Sequence, residues 1–404
     1  MIEFPSSASR FARGAFALAL LTILVATLAP FGGPKPALSV CLVCGERGLA
    51  DGLRNIFLYA PLGAATAWCG WRRPRVLVAA IALSALIELA QVWIPGRDPS
   101  LGDVTFNAVG AIAGFWAGRS SDGWLRPAGR LRVWLMLLGA FGVLATAAAT
   151  GMLLQADFPR STYWGQWTPN LGHLEWYRGR IVGVTIGALE VADGPVPHSA
   201  AVRSLLLSRT ALRIRAVAGP PVPALGSLFS IYDGQQREVV LVGPDRDDLV
   251  FRYRTRAAAA RLEQPALRAE GALRGVAAGD SLGVEVRRDG NGRCLEVNAR
   301  AFCGLGFTIG RAWALIGFPE TFPSWLRILL DDGWLAGLLM PLGFWLTGRR
   351  TGPLVVLAVA AGLVLVPVAT GLMPTPPGGL AGAAVGLALG LGLRRRLARP
   401  PRAA

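Results

Sequence analysis

The chain has 404 residues, 53% of them hydrophobic and only 16% charged. So little charge excludes an ordinary soluble domain and makes a multispan membrane protein the first expectation. The net charge of +16 comes almost entirely from arginine, much of it in short loops between apolar runs. That placement reads as cytoplasmic membrane loops and argues against nucleic acid as a partner.

Arg10 and Arg13 precede an apolar run over 14–29. It reads as an uncleaved first span rather than a signal peptide, because further spans follow and no small-x-small site ends it. Further apolar runs cover 53–71, 76–93, 104–118 and 133–154, then 333–346, 353–372 and 379–393, after a stretch 325–330 suited to the interface. Each is near the length a bilayer requires, which predicts an α-helical multispan protein of eight spans. The loops holding Arg72-Arg73, Arg126-Arg130-Arg132, Arg349-Arg350 and Arg394–Arg396 fall on one side. By the positive-inside rule that side is the cytoplasm, with both termini in it.

From 157 to 310 the pattern changes to short alternating segments. Strands are predicted at 203–207, 211–217, 225–232, 238–242, 249–254, 281–287 and 294–297, divided by turn signals such as Asp233-Gly234 and Asp289-Gly290-Asn291-Gly292. This predicts an inserted all-β sandwich, which span parity places outside the membrane. Trp164, Trp167 and Trp176 suit an interface belt beneath it. The expected domains are therefore 14–154 (five helices), 157–310 (sandwich) and 320–395 (three helices).

The last region echoes the first. Asp331 stands ten residues before Pro341-Leu342-Gly343, as Asp51 does before Pro61-Leu62-Gly63, and each is followed by a double arginine. Gly110 and Gly114 are matched by Gly382 and Gly386. Two readings stand: a degenerate internal repeat, or a chance match between glycine-rich apolar helices. Under the first, nothing in the second copy replaces Glu88, Gln91, Arg97 or Asn107.

Those residues belong to a sparse polar set. Glu88 is the only acid inside the third span and is costly in hydrocarbon unless paired or protonated. Gln91 is three residues on and shares its face. Asp51 and Asn55, and likewise Asp103 and Asn107, are four apart at the outer starts of their spans, and Arg97 stands in the short loop within reach of Glu88 or Asp103. Gly63, Gly110 and Gly114 let helices approach closely. The set reads as an outward-opening pocket for a lipid headgroup, sugar or peptide, or else as an interhelical hydrogen-bond network. Glu88 and Asp103 could form an acid–base pair, but no nucleophile or metal cluster accompanies them, so binding is preferred to catalysis and no cofactor is expected.

Cys41 and Cys44 form a C-x-x-C in the first outer loop, read as a local disulfide or thiol pair, and Cys294 and Cys303 flank a hairpin suited to a disulfide. Cys69 reads as a small core residue. His173 and His198 are the only histidines and suggest no metal site. Arg213 with Arg215, and Arg252 with Arg254 and Arg256, fall on common strand faces, either a basic glycan-binding surface or a solvated face.

The pattern Asp51-x3-Asn55, Pro61-Leu62-Gly63, Glu88-x2-Gln91, Arg97-x5-Asp103-x3-Asn107-x2-Gly110-x3-Gly114 resembles the VanZ-like family of bacterial membrane proteins. It departs from the family at Asn55, where many members have histidine. The founding member is linked to teicoplanin resistance. The resemblance implies an inner-membrane envelope protein handling a cell-wall, lipid-linked or glycan component, with membrane lipid, a lipid-linked glycan or polysaccharide, or an envelope protein as partner. An intramembrane enzyme on polyprenyl-linked sugars with Glu88 as acid–base, or a scaffold whose sandwich docks an envelope complex, are the alternatives. The inserted domain is similar in strand spacing to concanavalin A-like and laminin G-like sandwiches, which often bind glycans.

Overall fold

The computed structural model describes residues 6–29, 42–43, 45–97, 99–172, 174–318 and 322–397. The apolar runs form helices α1 (Ser6–Leu28), α2 (Gly48–Trp68), α3 (Arg73–Gln91), α4 (Leu101–Arg119), the short α5 (Ser121–Leu125) and α6 (Gly129–Leu153). Among the described residues, six long helices are apolar enough to cross a membrane: α1 from Arg10, α3, α6 and, at the C-terminal end, Ser324–Trp345, Thr351–Thr370 and Pro377–Leu397. The eight spans expected from the sequence are not reached by this measure. α2 and α4 are as long, but Asp51, Arg54 and Asn55 lower the apolarity of the one, as Asp103 and Asn107 do that of the other. The spanning helices leave large apolar side chains bare, among them Leu18, Leu21 and Val25 of α1 and Trp134, Leu138 and Phe141 of α6. A bilayer is the solvent that would cover such a surface.

α2 and α4 pack with almost no side chain between them. A Cβ on Gly63 would fall on the Ala111 carbonyl, one on Gly110 on the Ile56 carbonyl and one on Gly114 on the Ala60 carbonyl. Glycine alone permits so close an approach of two helix backbones. At the C-terminal end, Ser324–Trp345 and Pro377–Leu397 repeat the arrangement: Gly343 meets Leu387, Gly386 meets Ala336 and Gly390 meets Met340, each at a backbone carbonyl. Pro61 and Pro341 interrupt the two first partners at the same place.

The two glycine seams correspond in a register different from the one the sequence match suggests. Ile56 corresponds to Ala336, as Asp51 does to Asp331, but Gly110 then corresponds to Gly386 and Gly114 to Gly390. The sequence match of Gly110 and Gly114 with Gly382 and Gly386 is one helical turn out of step. Glycines recur every four residues on this face, so the one-turn slip costs nothing in pattern. The helix of residues 324–345 also begins earlier than expected, absorbing 325–330 into its first turns, where Arg327 pairs with Glu270 at 3.1 Å.

Between α6 and the last three helices lies a β region of two six-stranded antiparallel sheets. Its elements are β1 (Tyr163–Trp167), β2 (Arg180–Ile186), β3 (Leu189–Glu190), β4 (Gly194–Val196), α7 (Ser199–Leu207), β5 (Leu212–Val217), β6 (Phe229–Asp233), β7 (Glu238–Asp245), β8 (Asp248–Tyr253), α8 (Arg256–Ala259), β9 (Leu267–Ala269), β10 (Ser281–Asp289), β11 (Gly292–Val297) and β12 (Arg300–Leu305). One sheet has the order β4-β1-β6-β7-β8-β9 and the other β12-β11-β10-β5-β2-β3. Alternation on β5, with Leu212, Ile214 and Ala216 buried, supplies the shared core. The chain then returns to helices α9 (Ser324–Trp345), α10 (Thr351–Thr370) and α11 (Pro377–Leu397).

Three local readings change. The segment 203–207 is not a strand but part of α7, since Val202-Arg203-Ser204-Leu205-Leu206-Leu207 follows a helix start rather than a turn. Trp167 is not an interface anchor alone; its indole N–H donates to the Val191 carbonyl at 3.2 Å within the β region. The basic faces are largely neutralised, with Arg213 held by Glu285 at 2.7 Å and Arg252 by Glu238 at 2.6 Å, while Arg254 is buried. Cys294 and Cys303 form a disulfide across β11 and β12. Cys41, Cys44 and His173 lie outside the described residues. Cys69 is a free, half-buried thiol at the end of α2.

Because the glycine contacts are backbone to backbone, a single methyl should break them. Gly114→Ala and Gly386→Ala are each expected to cost about 1–3 kcal/mol, the usual penalty of overpacking. Gly142→Ala, where a Cβ would meet nothing within 4 Å, should leave the melting temperature of the detergent-solubilised protein unchanged.

Candidate functional site

The polar residues collect at the end of the bundle on which the β region sits, and they sort into three groups. The first ties α2, α3 and α4 together. Asn55 Nδ2 donates to Asp103 Oδ1 at 2.7 Å, and Asn107 Nδ2 donates to Ser84 Oγ at 2.8 Å. Ser100 is the pivot between α3 and α4: its N–H donates to Glu88 Oε2 at 2.9 Å and its Oγ accepts from the Asp103 N–H at 3.1 Å, capping α4. Tyr59, fully buried, points its hydroxyl toward Ser84 without a well-formed hydrogen bond, and Asn107 Oδ1 is likewise buried without a partner. Both are among several buried polar atoms without a hydrogen-bond partner, Ser227 Oγ and the Trp334 indole N–H included.

The second group closes the C-terminal end of α1. Gln91 Nε2 donates to the Thr27 carbonyl at 2.9 Å, and Arg97 donates to the carbonyls of Ala26 at 2.6 Å and Ala29 at 2.9 Å. A cation on the free carbonyls at a helix C-terminus satisfies both their hydrogen bonding and their dipole. Arg97 therefore fixes where α1 ends relative to the site.

The third group joins α2 to the β region. Asp51 pairs with Arg54, and Arg54 also reaches buried Glu263 at 3.0 Å, the Ile316 carbonyl at 3.0 Å and the Phe318 ring at 3.9 Å. Arg47 approaches the same carboxylate at 3.2 Å. α2 has no side-chain cap; instead the N–H groups of Leu49 and Ala50 donate to the Arg261 carbonyl at 3.1 and 3.2 Å. The equivalent aspartate of the second repeat, Asp331, accepts from Arg311 at 2.9 Å and from the Trp313 indole at 2.7 Å. Both aspartates thus anchor the β region, one through an arginine and one directly.

Gly63, Gly110 and Gly114 lie in the α2–α4 contact itself. The sequence reading had missed Tyr59, Ser84, Ser100, Arg54 and Glu263. Tyr59 is four residues after Asn55 and Arg54 three after Asp51, so helical spacing carried a signal for both. Nothing in sequence connects Glu263 with α2.

The second repeat shows what the polar groups are not needed for. In the register set by the glycine contacts, Leu335 replaces Asn55, Gly379 replaces Asp103 and Ala383 replaces Asn107. α10, the counterpart of α3, holds no acid and no amide. α9 and α11 nonetheless reproduce the same backbone contact. The α2–α4 backbone contact therefore recurs without Asn55, Asp103 and Asn107, while the α3–α4 contact, where Ser84 meets Asn107, has no counterpart between α10 and α11.

Residues 8–121 match the VanZ/LLP1 family model. The matched VanZ-like segment runs from α1 to the start of α5 and contains the whole polar set; the β region and the second repeat lie beyond it. With the six apolar helices, the match points to a membrane protein of the VanZ type. No curated protein matches the chain, and no solved structure does.

Glu263→Ala removes one partner of Arg54, which keeps Asp51 and the Ile316 carbonyl, and the partner of exposed Arg47. It is expected to destabilise by about 1.5 kcal/mol, the usual worth of a hydrogen bond to a charged group. Arg274→Ala, which removes an exposed pair at 3.9 Å, should cost less than about 0.5 kcal/mol in the same chemical denaturation assay.

Proposed function

We propose that this chain is a bacterial envelope protein of the cytoplasmic membrane whose first helical repeat holds the polar part of a lipid-linked or glycan cell-wall component. The observation that supports this reading is a contrast between the two glycine seams: α9 and α11 repeat the α2–α4 backbone contact without Asn55, Asp103 or Asn107, although α10 does not pack on α11 as α3 packs on α4. Groups that packing does not require, two of them buried without partners, are explained by a ligand that completes them. Glu88 Oε2 and Asp103 Oδ1 already accept hydrogen bonds from the protein, which favours recognition over proton transfer. Asn55, where the resemblance anticipates histidine, removes a titrating group in the same direction.

The orientation belongs to the proposal. Arginine-rich loops place both termini in the cytoplasm, so the site and the β region face outward, and the Cys294–Cys303 disulfide suits that compartment. The β sandwich, seated on Asp51 through Arg54 and on Asp331, then stands over the mouth of the site as a glycan- or partner-contacting module. An effect on glycopeptide tolerance is the physiological consequence.

Glu88→Ala and Asn107→Ala should each lower the polyprenyl lipid that copurifies with the protein by about tenfold or more, equivalent to roughly 1.4 kcal/mol of binding. Glycopeptide tolerance should change with it at unchanged protein level. A fall in abundance alone, with lipid occupancy per molecule intact, would make the set structural.

A further inference from the structure

We propose that the β region carries a second, independent binding site, for a phosphate group borne on a small polyol. The site is the cleft of about 590 Å³ between the loop ahead of β1, the edge strand β4 and the first turns of α7, lined by Arg160, Ser161, Thr162, Pro195, Ser199 and Arg203 among others. The volume is that of a small-molecule site and exceeds what a bare ion would fill.

Its chemistry is one-sided. Two arginines and four hydroxyl groups line it, and no carboxylate does. Some arginines elsewhere in the β region are met by acids, as Arg237 is by Asp233 at 2.6 Å and Arg268 by Asp248 at 2.9 Å. Arg160 is exposed and has no ion pair among the described residues. Arg203 uses its Nε on the Phe158 carbonyl at 2.6 Å, which orients the guanidinium and leaves its two terminal nitrogens to donate. Ser161 Oγ is buried in the lining with no hydrogen-bond partner. A donor-rich cleft without an acid selects an oxyanion, and its hydroxyls suit the alcohol groups of a polyol.

The walls are held before any ligand arrives. The Tyr163 hydroxyl donates to the Pro159 carbonyl at 2.7 Å, pinning the loop that carries Arg160 and Ser161. Ser199 Oγ accepts from the Tyr163 N–H at 2.8 Å and donates to the Val196 carbonyl at 2.7 Å, fixing α7 to β1 and β4 together. A preformed cleft spares the ligand the cost of ordering loops. The end of α6 at Leu153 is only a few residues from Arg160, so either a free polyol phosphate or the headgroup of a membrane phospholipid can supply the group.

The test is titration of the full-length protein in phosphatidylcholine nanodiscs with glycerol 3-phosphate, followed by calorimetry. Saturable binding is expected, weakened at least tenfold by Arg160→Gln and by Ser161→Ala and unchanged by Arg209→Gln at the far end of α7. Glycerol should not bind. Phosphatidylglycerol added to the discs should compete if the lipid headgroup is the occupant and not if the occupant is soluble; either result supports the site. Arg160→Gln alters an exposed side chain and should melt with the parent, so lost binding cannot be lost folding. Absence of saturable glycerol 3-phosphate binding in pure phosphatidylcholine discs, or equal binding by Arg160→Gln and the parent, overturns the proposal.

Discussion

Everything in the helical part depends on the close approach of two backbones at glycine. Where Gly63, Gly110 and Gly114 meet the carbonyls of Ala111, Ile56 and Ala60, no apolar side chain is available to separate α2 from α4, and their polar residues are brought face to face. In hydrocarbon, helices gain nothing from burying apolar surface against each other, so packing and weak Cα–H contacts of this kind carry the association. The same constraint explains how α2 and α4, the least apolar of the long helices, are tolerated: each shields the other's polar stripe. Asn55 donates to Asp103 across the seam rather than facing lipid.

The second repeat uses the constraint without the chemistry. α6 packs on α9 and α10 as α1 does on α2 and α3, but α10 does not pack on α11 as α3 does on α4. The β region then occupies the loop between the first and second helices of the second repeat. Its seat is built from the two equivalent aspartates, Asp51 through Arg54 and Glu263, and Asp331 through Arg311 and Trp313. The β region is thus held by both helix pairs, at Asp51 and at Asp331.

Much of this was legible in the sequence. Apolar run length located the helices, and two-residue alternation located β5, β10 and β11, because each periodicity is fixed by backbone geometry alone. Asp51, Asn55, Glu88, Gln91, Asp103 and Asn107 stood out because ionisable and amide groups are expensive in apolar helices. What escaped has physical reasons. The register of the repeat slipped by one turn because small residues recur at that same interval. The helix α7 reads as a strand in sequence because its leucines and valine suit either element over so short a length. Glu263 was invisible because its partnership with α2 spans 209 residues and depends on how the β region is seated.

If the polar set serves a ligand and not the fold, giving α2, α3 and α4 residues of the apolar kind that α9, α10 and α11 carry should leave stability nearly unchanged. The fourfold variant Asn55→Leu, Glu88→Leu, Asp103→Ala and Asn107→Ala gives the first copy the apolar character of the second. Both members of the Asn55–Asp103 pair are replaced together, while Ser84 Oγ and the Ser100 N–H each lose one partner, and the net cost should be small. Denaturation of this variant in detergent should show a stability within about 1 kcal/mol of the parent. A loss of more than about 3 kcal/mol, the sum expected if its three interhelical bonds each sustain the fold, would contradict the claim.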